Sequence, residues 1–309
     1  MPKQASQFQK IVMSLGRRGR DIFKPLHTGR TGDFAFARGD RACSPLKKQT
    51  PRDPAAPRGG RDESGDAEKR ARRERLKPCR QAGNAENKEN KKSAKYKALS
   101  VREFTKAAEV YDGAHAGIYE MCRDDYPPIL AELKKEPFAD LLDVGCGTGL
   151  MIELLARECP NLRCTGLDLT PKMIEVARAK RLPNAEFLVG DSENLPFAAE
   201  SFDAVICANS FHHYPNPQKF FDGAARVLRP GGRLILRDYT AAKPVLWLMN
   251  HTEMPLANWI GHGDVRAYAP EEVRAFCGNA GLEVLALERQ PKFRLHLAAV
   301  KRDGGRKKR

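Results

Sequence analysis

The stretch Leu141-Leu142-Asp143-Val144-Gly145-Cys146-Gly147-Thr148-Gly149 decides the fold of this chain. Leu141 to Val144 form a short apolar run with an acid set into its end, which predicts a buried strand. Gly145, Gly147 and Gly149 then predict a turn that brings bare backbone close to a ligand. Leu150 to Glu158 predict the helix that follows. A strand, a glycine turn and a helix N-terminus make a nucleotide-type pocket. A dinucleotide fingerprint needs its third small residue where Leu150 stands. Here the third glycine comes one residue early, so the spacing argues against a dinucleotide.

Working outward, the same alternation repeats. Arg163–Leu167, Ala185–Val189, Phe202–Ala208 and Arg233–Arg237 predict four more strands, with helices at about 149–158, 171–181 and 217–228. Thr170 before Pro171 predicts an N-cap followed by a first-turn proline. Arg229-Pro230-Gly231-Gly232 predicts a helix stop before strand five. Upstream, Val101–Ala116 and Ile118–Lys135 carry helical spacing. Downstream, a helix at 270–280 is followed by strands at Glu283–Glu288 and Phe293–Val300, the last with the alternation of an antiparallel strand. Strands alternating with helices predict an α/β architecture, a mostly parallel sheet with helices on both faces.

Ligands in such sheets sit at the carboxyl ends of the strands. Acids stand at three of those ends: Asp143, then Asp168, whose two oxygens can take both hydroxyls of a ribose, then Asp191. The pattern D-x-G-x-G-x-G resembles the first motif of class I S-adenosylmethionine (SAM) methyltransferases. Asp191 to Pro196, Phe202-Asp203 and Arg226-Val227-Leu228-Arg229-Pro230-Gly231-Gly232 closely resemble the ubiquinone/menaquinone-biosynthesis-type methyltransferases, and the likeness covers about residues 97–300. It implies a Rossmann-like seven-stranded sheet, mostly parallel with a C-terminal antiparallel strand, and SAM as cofactor. It further implies that Gly145, Cys146, Gly147, Thr148 and Gly149 cradle the methionine part while Asp143 helps hold the amino group. Asp191, flanked by Ser192 and Glu193, would take the adenine amino group. The backbone at Asn209 and Ser210 would face the sulfonium, with side chains approaching the substrate, and Tyr111 would cover the cofactor. Leu169 and Met173 complete the expected cofactor contacts.

Methyl transfer from a sulfonium is an in-line displacement, so the protein mainly positions and desolvates. If the acceptor must lose a proton, His213 is the first choice of base, with His212 beside it and Asp238 a second candidate. The plain alternative for each is shaping the pocket or capping a turn. No metal is expected: Asn209 replaces the acid that metal-dependent relatives of this fold place after strand four. The histidines also lack H-x-x-x-H spacing, and adjacent imidazoles are expected to point apart. Asn209-Ser210-Phe211-His212 is not the Asn/Asp-Pro-Pro-aromatic string of base-modifying nucleic-acid methyltransferases. Tyr111, Tyr119, Tyr126, Trp247, Leu248, Met249, Trp259 and Tyr268 predict an aromatic lid over a small-molecule acceptor, ordinary core packing being the alternative. Two other functions stay open, an RNA or protein methyltransferase docking through basic tails and a SAM-binding protein without catalysis.

The charge is uneven. Residues 1–100 carry 26 Lys and Arg against 11 Asp and Glu, the last nine residues six against one, and residues 101–300 carry 22 against 27. The basic character therefore belongs to the ends, which weakens a nucleic-acid reading of the middle. Residues 1–96 are too polar to offset the entropy of ordering them and predict a disordered basic extension. A methyltransferase domain is expected over 97–301 and a basic tail over 302–309. The eight cysteines form no C-x-x-C pair and read as reduced thiols. No apolar run reaches membrane-spanning length, and a cytoplasmic location is expected.

Overall fold

The computed structural model describes residues 89–113 and 123–302. Seven strands form one sheet: β1 (Asp140–Val144), β2 (Arg163–Asp168), β3 (Ala185–Val189), β4 (Phe202–Ala208), β5 (Leu228–Tyr239), β6 (Leu282–Gln290) and β7 (Arg294–Lys301). Their order is β3-β2-β1-β4-β5-β7-β6. The first five run parallel, and β7 lies antiparallel between β5 and β6. The order reverses between β1 and β4, so the loops leaving those two strands open a crevice where a ligand binds.

The described helices are α1 (89–107), α2 (Tyr126–Leu133), α3 (Leu150–Glu158), α4 (Pro171–Ala179), α5 (Pro217–Val227), α6 (Lys243–Leu248), α7 (Met254–Ile260) and α8 (Pro270–Asn279). The strand period of two sorts the core into two layers. Leu141, Ala204, Ile206 and Ile235 pack beneath α2, α3 and α4, whose Ile129, Leu133, Ile152, Leu155 and Ile174 are buried. Leu142, Val144, Val205, Leu234 and Leu236 face the other way, onto Phe220, Phe221 and Ala224 of α5 and Val273 and Cys277 of α8.

Several boundaries differ from the sequence reading. Helix α1 begins by residue 89, upstream of the expected boundary at 97, and buries Ser93 and Ser100. It ends at 107 rather than 116. Helix α2 starts only at Tyr126 because Pro127 and Pro128 are tolerated in a first turn and not in a helix interior. Residues 114–122, with Tyr119, lie outside the described residues, as do residues 1–88 and 303–309. Strand β5 begins at Leu228, not Arg233: Leu228 pairs with Phe202, and the register shifts before Ala204 meets Arg233. Gly231, at φ +78°, carries the chain through this irregularity. Thr170 stands at the N-cap of α4 without a side-chain cap bond. The five described cysteines are free thiols.

The expected aromatic lid is only partly there. Tyr268 packs on Phe211 inside the core, with ring centroids 4.7 Å apart. Trp247 and Trp259, on α6 and α7, are 61% and 83% exposed and turn away from the interior. Met249 is buried with Leu246 and Met254 beneath those helices.

Candidate active site

The glycine turn is fixed before any ligand arrives. The N–H groups of Gly145 and Cys146 both donate to the Leu167 carbonyl, at 2.7 and 3.1 Å, tying the end of β1 to the end of β2. Gly149 has φ +77°, and a Cβ there would lie 2.8 Å from the Phe187 ring, so only glycine fits. Gly145 is pressed by its neighbour: a Cβ would collide with Ser210 after β4. Thr148 donates to Asp112 at 2.5 Å, and Lys180 pairs with the other Asp112 oxygen at 2.8 Å. The Tyr111-Asp112 pair thereby clasps the turn, with Tyr111 against Gly147.

The three strand-end acids differ in their environment. Asp143 is 2% exposed, and no hydrogen-bond donor among the described residues reaches its carboxylate. Burial, with the nearby Asp168 charge, pushes its pKa up to about 7. Asp168 accepts the Gly147 N–H on Oδ2 at 2.9 Å and the Thr170 N–H on Oδ1 at 2.8 Å. Burial raises its carboxyl, with those two N–H groups pulling the other way. Asp191 accepts the Glu193 N–H at 3.0 Å and pairs with Lys97 of α1 at 2.8 Å.

A small cavity of about 60 Å³ is lined by Asp168 and Asp191 and by Gly145 of the turn, while Asp143 lies outside its lining. Among the expected residues, Gly145, Asp168, Leu169, Asp191, Ser192, Ser210 and His213 line it. Lys97, Ser100 and Phe104 of α1 close it from above. Lys97 also reaches Glu193 at 2.6 Å, and Glu193 accepts the Asn216 N–H at 2.6 Å. Burial pulls the Lys97 pKa down, but its hydrogen bonds to the two acids outweigh this and leave it above the ordinary value.

Of the other expected cofactor contacts, Tyr111, Asp143, Gly147, Thr148 and Gly149 also lie outside the lining, and the side chains of Asn209, Met173, Cys146 and Glu193 are engaged elsewhere. Asn209 donates to buried Asp125 at 2.8 Å and accepts from Arg294 at 2.9 Å, so its amide is committed to a charged network with Arg237 rather than to the pocket. Met173 is core, packed against Ala107 at the end of α1 and Ala108 just past it. The Cys146 side chain points at Gly166, away from the cavity, and burial pushes its thiol well up. Glu193 holds Asn216 and Lys97 and serves the loop.

Past β4, the chain makes one tight turn over Phe211–His213. His212 Nδ1 meets Asp238 Oδ1 at 2.7 Å, and the His212 N–H donates to Asp238 Oδ2 at 3.1 Å. Burial lowers the His212 pKa, but the Asp238 charge and hydrogen bond outweigh it and leave it raised; the same pairing outweighs the effect of burial on Asp238 and holds its carboxyl down. His213 is lowered by burial and by the His212 charge, and its ring meets Phe104 edge-on at 5.1 Å. The expectation that adjacent imidazoles point apart does not hold. A tight helical turn separates successive side chains by far less than the half-turn of a strand, so the two ring centroids lie 4.0 Å apart. Both rings approach one carboxylate oxygen, Asp264 Oδ1, at 3.6 and 3.5 Å.

The sequence reading missed Asp264 and the α1 residues. The 261–266 loop is tied to α1 by Glu103, which accepts the Gly263 N–H at 2.9 Å and meets His262 Nδ1 at 2.5 Å. It is tied to the histidine turn by Val265 and Arg266, whose N–H groups donate to the His212 carbonyl at 2.9 and 3.1 Å. These contacts cross from about 50 to 160 residues of sequence, and no local motif marks them.

The strand order and the glycine turn define a Rossmann-like α/β fold with a crevice at its switch point. Residues 142–236 match the family model described as a methyltransferase domain. The chain is similar to the demethylmenaquinone methyltransferase of Thermotoga maritima, 37% identical over 146 residues that cover 46% of this chain and 62% of that enzyme. It is also similar to the phthiotriol/phenolphthiotriol dimycocerosates methyltransferase of Mycobacterium leprae, 42% identical over 106 residues, 34% of this chain and 39% of that one. The chain thus spans less than two thirds of the length of either relative. Its fold is shared with the 1,6-didemethyltoxoflavin-N1-methyltransferase of Burkholderia thailandensis, at a TM-score of 0.52 and 19% identity over 68% of this chain and 91% of that one. What these comparisons establish is a methyltransferase-domain match that runs from β1 to within β5, residues 142–236.

Proposed function

We propose that the chain transfers a methyl group from SAM to a small-molecule acceptor held beyond β4. The observation that carries this reading is Asp143, a buried carboxylate that no donor among the described residues satisfies, at the foot of the glycine turn. Such a group is costly unless a cation meets it, and the α-ammonium of SAM supplies one. Asp168 keeps lone pairs free beside its two backbone bonds, which suits a ribose diol. The bound cofactor supplies an activated methyl on a sulfonium. The chain's own residues then bind, orient and exclude water. Ser210 and His213 line the cavity past β4, and His213 is the proposed proton acceptor if the nucleophile must be deprotonated. Its depressed pKa keeps it neutral at physiological pH, as a base must be. His212, oriented by Asp238, supports that turn.

The small-molecule reading draws support from closure of the cavity by α1, which the 261–266 loop braces, and from relatives named for small acceptors. The basic segments that would dock RNA or protein lie largely outside the described residues. No helix among the described residues is long and apolar enough to cross a membrane. The test is calorimetric titration of the full chain with SAM and S-adenosylhomocysteine. Both should bind, and Asp168→Ala should weaken binding by about 100-fold, the value of two charge-assisted hydrogen bonds. A folded chain that binds neither would overturn the reading.

A further inference from the structure

We propose that His212, His213 and Asp264 form a site for one divalent transition-metal ion at the acceptor end of the pocket. The role given to the ion rests on the methyl-transfer reading; its binding does not. The three side chains each offer one donor atom, and these atoms all lie within 4.8 Å of one another. Asp264 Oδ1 stands 3.6 Å from His212 Nε2 and 3.5 Å from His213 Nδ1. Those separations are too long for hydrogen bonds. They are close to the edge, about 3.3–3.5 Å, between ligands bound roughly 2.0–2.2 Å from one tetrahedral ion.

A second observation points the same way. His213 Nδ1 is buried and makes no hydrogen bond. A buried imidazole nitrogen facing a carboxylate at a non-bonding distance is a ligand atom that lacks a partner. The support around the site is also that of a metal centre. Asp238 holds the far nitrogen of His212 at 2.7 Å, which orients the ring and leaves Nε2 turned to Asp264. The turn and the loop are held together by the two N–H groups on the His212 carbonyl, so the ligands share a rigid frame.

Two imidazoles and one carboxylate suit zinc, cobalt, nickel or iron better than magnesium or calcium. Three protein ligands leave a fourth position open. His213 belongs to the cavity wall, so that position serves an acceptor carrying an ionisable hydroxyl. With the ion bound, His213 is a ligand and not the base, so the hydroxyl on the ion releases its proton to solvent. Its oxygen then takes the methyl as the carbon–sulfur bond breaks, and that bond's electrons stay on the neutral thioether.

The experiment uses the full chain, stripped with a chelator and titrated with Co²⁺ in the absence of SAM. One equivalent should give the visible band of four-coordinate cobalt, and Zn²⁺ should displace it. Asp264→Asn and His213→Gln should each abolish the band while circular dichroism stays that of the wild type. Asp238→Asn should weaken cobalt binding by about 10- to 100-fold. X-ray absorption at the zinc edge of the wild-type chain needs no variant, and it should show nitrogen and oxygen neighbours without sulfur. No band in the wild type, a band unchanged in both ligand variants, or a sulfur neighbour would overturn the proposal. Because no readout involves methyl transfer, a chain that binds S-adenosylhomocysteine but no metal loses only the ion. A chain that binds metal but no S-adenosylhomocysteine loses only the methyltransferase reading.

Discussion

Replacing Asp143 by asparagine should make the ligand-free protein more stable at neutral pH and worse at binding its cofactor. The Asp143 carboxyl is raised from 3.8 in an unfolded chain to about 7 in the fold. Between those values the folded state holds a proton that the unfolded state has lost, so stability falls as pH rises through this window. At 1.36 kcal/mol per pH unit, the full penalty above pH 7 is about 4 kcal/mol. Asparagine has nearly the same shape and cannot ionise, so it removes that penalty. It adds an amide whose donors have no partner, a pH-independent cost of about 1–3 kcal/mol. The offset leaves the absolute gain at high pH at about 1–3 kcal/mol. The swing is the firmer quantity: the stability difference between variant and wild type should change by about 4 kcal/mol from pH 4 to pH 8, in favour of the variant at high pH. Urea denaturation of both proteins across that range measures it. The same variant should bind S-adenosylhomocysteine about 10- to 100-fold more weakly, having lost a charged partner for the ammonium. A stability difference that stays flat with pH would mean that Asp143 is not a buried ionisable group, and the ammonium pocket would go with it.

Three other outcomes follow from the same geometry. Gly149→Ala should destabilise the fold by about 2–4 kcal/mol, since it combines a left-handed backbone with a clash on Phe187, and adding Phe187→Leu should recover part of the loss by relieving the clash alone. Lys97→Gln should leave Asp191 without its α1 partner, raising the association rate of S-adenosylhomocysteine in stopped-flow and reducing that rate's dependence on salt. His296 is buried beside Arg237, and its pKa is lowered below 6.5. The unfolded chain therefore takes up a proton before the folded one does, and stability should drop as pH falls below 6.5. His296→Gln should flatten that part of the denaturation profile.

The part of the molecule that could be read from sequence is the part where one residue type has one use. A run such as Leu141–Val144 has nowhere to go but a buried strand, and an acid at its end has few partners but a ligand. Glycines at 145, 147 and 149 were legible for the same reason, although Gly145 is required by Ser210 as much as by any cofactor. What escaped were relations across distance and direction. Residues 89–96 are polar enough to read as unstructured, yet they form the start of a helix whose Ser93 is buried. Asp264 is one acid in a loop, and its meaning comes from two histidines about fifty residues away. Spacing identified Trp247, Trp259 and Tyr268 as apolar but could not say which way each would turn. The histidine pair failed through local geometry: strand alternation predicts divergence, and a tight helical turn gives convergence.

Under the proposed function, the ion pairs from α1 to Asp191 and Glu193 bear on turnover. A space of about 60 Å³ does not admit a molecule as large as SAM, since pockets for such ligands measure roughly 300–1,000 Å³. Under the proposed function, each exchange of spent cofactor for fresh would therefore begin with α1 lifting and Lys97 leaving Asp191 and Glu193. The measured affinity is then the intrinsic affinity reduced by the fraction of time the helix stands open. Product would leave through the same motion, so the helix would set a common clock for loading and release. Turnover in such an arrangement is paced by a hinge far from the reacting atoms.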